Sequence, residues 1–110
     1  MSPRRLVALL VATAFGLAAC ASVFSTGRDF PSPAREAIKS GTTTKADLVR
    51  LFGEPAQVGI EDGDQTWTWL YFKKGEPDLS KTLTVRFQAE GVVKSYSFSS
   101  NFPEDMKTLR

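Results

Sequence analysis

Gln65-Thr66-Trp67-Thr68-Trp69-Leu70-Tyr71-Phe72-Lys73 is the stretch on which the fold turns. A period of two puts Trp67, Trp69 and Tyr71 on one side of an extended chain and Thr68, Leu70 and Phe72 on the other. Both sides are apolar enough to need cover, which predicts a central strand. Downstream, Leu83, Val85 and Phe87 alternate with Thr82, Thr84 and Arg86, the pattern of a strand with one buried and one wet face. Ala89-Glu90-Gly91 reads as a tight hairpin, and the strand after it, 92–99, sets Tyr96 and Phe98 against Ser95, Ser97 and Ser99. Upstream, Val58 and Ile60 mark a short strand joined to 65–73 through Glu61-Asp62-Gly63-Asp64, a run with hairpin turn chemistry.

Helical signals precede the strands. Thr44 can cap a helix while Asp47, three residues on, sets negative charge against its N-terminus. Leu48, Leu51 and Phe52 follow at helical spacing, and Gly53 and Pro55 end the element. A briefer helix is expected before it, with Ser32 as cap, Pro33 in the first position, Ala34, Ala37 and Ile38 on one face, and Gly41 as its stop. The predicted architecture is therefore α+β, two short N-terminal helices packed on one face of a three- to four-stranded antiparallel β-meander. Its core would set Leu83, Val85 and Phe87 against Leu48, Leu51 and Phe52.

The N-terminus carries a different kind of signal. Arg4 and Arg5 precede an apolar run, 6–17, too short to cross a bilayer that needs about 20 residues, which is the mark of a secretory signal. The run closes on Leu17-Ala18-Ala19-Cys20, which resembles the lipobox of bacterial lipoproteins. In such proteins the cysteine is acylated and becomes the mature N-terminus, and two or three acyl chains hold it permanently in the membrane. Ala21, in place of an aspartate, favours the outer membrane by the enterobacterial sorting rule. The expected division is a lipoprotein signal peptide over 1–19, a lipidated tether over 20–31, a domain over 32–100 and a polar tail over 101–110.

Composition narrows the chemistry. The chain has 110 residues, one cysteine and no histidine. With Cys20 acylated, the usual zinc and copper ligands, thiol mechanisms and histidine-based triads are all removed. Fourteen Lys and Arg stand against twelve Asp and Glu, and Arg4 and Arg5 leave with the leader, so the mature charges balance. Balanced charge argues against nucleic acid as partner. Glu61, Asp62 and Asp64 lack the spaced ligands and distal glutamate of a calcium loop. Glu76 and Asp78 sit in a stretch with nothing apolar to raise one pKa, and the serine row at 95, 97 and 99 lacks a base. No metal or cofactor is implied, and the expectation is a non-enzymatic protein.

Ile38, Gly41, Thr43, Gly53 and Pro55, then Trp67 and Thr82-Leu83-Thr84-Val85-Arg86-Phe87, and finally Gly91-Val92, resemble the pattern of the SmpA/OmlA (BamE-like) outer-membrane lipoprotein domain family over roughly 34–98. The resemblance implies a periplasm-facing outer-membrane lipoprotein that supports β-barrel protein assembly or envelope integrity through protein contacts. It also implies that the region around the 65–73 strand meets a partner subunit and anionic phospholipid. Where the family has an aromatic residue after the first tryptophan and an arginine four residues later, this chain has Thr68 and Phe72, with Lys73 beside the latter. The candidate partner-binding residues are Trp67, Trp69, Tyr71, Lys73 and Arg86, with Cys20 as the lipid attachment. One fold hosts unrelated functions, so an inhibitor-type or envelope-stress lipoprotein is the alternative.

Overall fold

The computed structural model describes residues 25–110. The expected signal peptide, 1–19, and Cys20 lie outside the described residues. Five strands, β1 (Ser25–Gly27), β2 (Gln57–Glu61), β3 (Asp64–Lys73), β4 (Leu79–Phe87) and β5 (Val93–Ser100), form one antiparallel sheet, with helices α1 (Lys45–Phe52) and α2 (Pro103–Leu109). The sheet runs β1-β3-β4-β5, and β2 shares with β1 the edge of β3 away from β4. β1 pairs with the 71–73 end and β2 with the 64–68 end. The long aromatic strand is thus paired along both edges, as its two apolar faces predict.

Two N-terminal helices are not what the chain forms. The 34–40 stretch makes a single turn, Ala37 N–H to Ala34 O at 3.0 Å, and then a tight loop in which Lys39 O accepts from Thr42 and Thr43. Ile38 is the one large apolar side chain of this short stretch, which lacks an anchor such as the Tyr71–Phe102 stack at the start of α2 to offset the cost of helix nucleation. Ile38 reaches the core from the turn instead. The second helix lies at the far end, where 101–110 was expected to be a polar tail. Pro103 at its start, Glu104 and Asp105 in its first turn and Lys107 in its last are all helix-favouring signals. The sheet has five strands because Ser25–Gly27, inside the expected tether 20–31, adds β1. Gly27 permits that pairing, since a Cβ there would lie 2.4 Å from Leu70 O.

α1 is the helix that Thr44 and Asp47 announce. Thr44 Oγ1 accepts from Asp47 N–H at 3.2 Å, and Asp47 Oδ2 accepts from Thr44 N–H at 3.0 Å, closing a capping box. Leu48 and Phe52 are buried, while Leu51, expected beside them, is 44% exposed. At about 100° per residue, Lys45, Leu48, Val49 and Phe52 make a stripe from which Leu51 points away.

Pairing of Trp67 with Val85, Trp69 with Leu83 and Leu83 with Phe98 puts these residues on the face beneath α1. Leu83, Val85, Phe87 and Val93 are fully buried there with Leu48. Phe30 joins them, meeting Phe52 and Phe98 edge-on at 6.5 Å each. The other face carries Thr68, Thr84 and Ser97 across its middle, with half-buried Leu70 and Phe72 toward β1.

Candidate functional site

The predicted site residues fall in three places. Trp67, Trp69 and Tyr71 belong to the covered face. Trp69 is 3% exposed, packs on Phe52 at 5.9 Å and donates its indole N–H to Gly53 O at 3.0 Å, which satisfies the polar atom that burial would otherwise penalise. Trp67 is half-buried, edge-on to Phe87 at 5.1 Å, with the Lys45 ammonium 5.4 Å above its ring. Tyr71 is half-buried and stacks on Phe102 at 6.1 Å. The aromatic row is therefore mostly core.

Arg86 stands on the opposite face. Its Nε donates to Asp64 Oδ2 at 2.8 Å, and Lys94 Nζ donates to the same oxygen at 2.9 Å. Lys94, and then Arg86, hold the Asp64 carboxyl below its ordinary value. Arg86 thus pins the β2–β3 hairpin to β4 instead of reaching toward a partner. Asp64, one of the acidic turn residues, is taken up by these cations. Among the described residues no group of three His, Cys, Asp or Glu is placed to hold a metal ion.

Lys73 is the exposed member of the set, and it opens on a groove of about 470 Å³ between the β3–β4 loop and α2. Lys73 and Lys74 supply its cations, Glu76 a carboxylate, and Pro77, Leu79, Pro103 and Met106 its apolar lining. The walls are tied together. Asn101 accepts from Ser80 N–H at 2.7 Å and donates to Asp78 O at 2.8 Å, fixing the loop to the start of α2. Ser100 Oγ donates to Asp105 Oδ2 at 2.6 Å, and the Tyr71–Phe102 stack holds the helix entry against β3. A concave apolar lining with a few charged groups at its margin is the form of a ligand or peptide site.

Sequence reasoning placed Lys73 but missed the other wall. Met106 and Leu79 are distant in the chain, and the groove exists only because α2 folds back beside the loop. The signal available was Pro103 followed by two acidic residues. Missed as well was Lys81, 8% exposed, on the covered face in phase with Leu83. It pairs with Asp29 at 2.8 Å, donates to Phe30 O and lies 4.9 Å and 5.1 Å from the rings of Phe30 and Phe102.

No family model, curated protein or solved structure matches the chain.

Proposed function

We propose that this protein is an outer-membrane lipoprotein, anchored through Cys20 with its domain in the periplasm, that acts without catalysis as a protein-interaction module. Its role is to support assembly of outer-membrane β-barrel proteins or the integrity of the envelope. The lipobox-like Leu17-Ala18-Ala19-Cys20 and the ordered pattern from Ile38 to Gly91-Val92 support the membrane and family parts of this reading. The observation that carries the binding part is the groove of Lys73, Lys74, Leu79 and Met106, exposed and braced by Asn101. Lys73 and Lys74 outnumber Glu76 on this lining, and cations beside apolar walls suit an acidic segment of a partner protein: the apolar contacts supply affinity and the cations supply orientation.

Crosslinking in intact envelopes, followed by detergent extraction and pull-down of the full-length lipoprotein, tests the proposal. Lys73→Glu with Lys74→Glu should leave circular dichroism and melting unchanged and lose the crosslinked partner. Capture equal to that of the parent chain would remove the groove as the contact. An anionic phospholipid headgroup offers the same charge, so vesicles containing phosphatidylglycerol separate the two. If the double variant loses vesicle binding but keeps its protein crosslinks, the lysines serve lipid.

A further inference from the structure

The outer edge of β2 is complementary to itself. β2 pairs with β3 on one side and, among the described residues, with no strand on the other. Asp62 and Gly63 have φ of 50° and 84°, the two-residue turn whose closing residues, Glu61 and Asp64, exchange both backbone hydrogen bonds. Alternation from that pair turns the backbone groups of Gly59 and Gln57 toward β3 and those of Val58 and Ile60 outward. The same two residues are the most exposed large apolar side chains among the described residues, at 67% and 79%. Solvent-facing edges are usually blunted by charge or proline, and the centre of this one is Val58-Gly59-Ile60.

We propose that two copies of the chain pair antiparallel through β2, about a two-fold axis at Gly59, joining their sheets into one. In this register Val58 lies opposite Ile60 of the partner subunit and exchanges both outward hydrogen bonds with it. Gly59 meets Gly59 of the partner subunit, and Gln57 lies opposite Glu61 of the partner subunit, amide donor to carboxylate. Neighbouring registers fit worse. A shift one way sets Val58 against Asp62 of the partner subunit, and a shift the other way sets Glu61 against Pro55 of the partner subunit. A parallel pairing would bring the acidic ends, Glu61 and Asp62, of both copies together. Only the antiparallel register about Gly59 combines apolar contact, hydrogen bonding and charge separation.

A contact one strand wide is small beside a standard interface of about 1,600 Å², so trapping in place is the suitable readout. Full-length chains carrying Gln57→Cys and Glu61→Cys, distinguished by tags, would be coexpressed and oxidised in intact cells. The unsubstituted chain, with Cys20 alone, sets the background. Positions 57 and 61 form a non-hydrogen-bonded pair, whose close Cα atoms suit a disulfide. The mixed disulfide should predominate over the homodisulfides of either chain. Adding Val58→Lys and Ile60→Lys to both chains, which sets like charges opposite one another, should abolish it. Adding Val58→Lys and Ile60→Glu, equally polar but with opposite charges facing, should preserve it. A mixed disulfide no more abundant than the homodisulfides would overturn the pairing, as would a yield indifferent to the two-lysine change. Loss of the mixed disulfide in the lysine–glutamate pair would overturn the register.

Discussion

Lys81 Nζ lies 2.8 Å from Asp29 Oδ1, an ion pair joining the middle of the sheet to a residue just past β1. The same ammonium contacts Phe30 O and the rings of Phe30 and Phe102, so one buried cation holds both ends of the described chain on the sheet. Each ring contributes about 0.5–2 kcal/mol to a desolvated cation. Asp29 is largely exposed and is rehydrated without penalty if the pair is broken.

Lys81→Met keeps the length of the side chain and removes its charge. Stability should fall by about 1–3 kcal/mol, and amide hydrogens of Ser25–Gly27 should exchange faster than those of β4. Unchanged protection at β1 would show that backbone pairing with β3 holds the N-terminal strand unaided.

Phe87 is 1% exposed, meets Trp67 at 5.1 Å and lies under Lys45 of α1. Phe87→Ala should cost about 3–5 kcal/mol, a large part of the stability of a domain this size. Leu51→Ala, on the same helix that covers it but facing solvent, should cost far less. Denaturant melts of the two variants check the assignment of the helix stripe.

The capping box predicts a smaller, local effect. Thr44→Ala removes the acceptor for Asp47 N–H and should destabilise by about 0.5–2 kcal/mol. Thr44→Ser, which keeps the oxygen, should recover most of that loss in thermal melting.

Acid should weaken the fold through two carboxylates. The Asp47 carboxyl is held below its ordinary value of 3.8, chiefly by the Thr44 backbone N–H, and Asp64 is held below it by Lys94 and then Arg86. A depressed carboxylate contributes its stabilisation above the unfolded-state value and loses it as pH falls through the lower folded-state value. Stability from these groups should thus be level above about pH 5 and fall below about pH 4. Asp47→Asn combined with Asp64→Asn should flatten that limb of the denaturation-midpoint profile. A limb as steep as the parent's would assign acid sensitivity to other carboxylates.

Cys20 carries the membrane prediction. Cys20→Ala should abolish incorporation of a fatty-acid analogue and block lipoprotein-type processing, and label persisting on the variant would contradict the lipobox reading.

Local patterning in the sequence determined the middle of this protein. The alternation through Trp67, Trp69 and Tyr71 and through Leu83, Val85 and Phe87 marked the two central strands, Asp62-Gly63 marked the hairpin, and Thr44 with Asp47 marked α1, because each signal lies within a few residues of the structure it specifies. Tertiary contacts decided the ends, where local signals are weak or short. β1 is three residues of Ser-Thr-Gly that become a strand only against Lys73, Phe72 and Tyr71. α2 is too short to stand without the Tyr71–Phe102 stack, and the 34–40 turn forgoes a helix because Ile38 alone cannot support one. The same division runs through the candidate site. Lys73 was legible from its place at the end of an aromatic strand, whereas the groove it opens on, the burial of the tryptophans and the exposure of Val58 and Ile60 depend on which elements pack across the sheet. A chain's period tells which residues share a face, and only the packing of distant segments tells which face is covered.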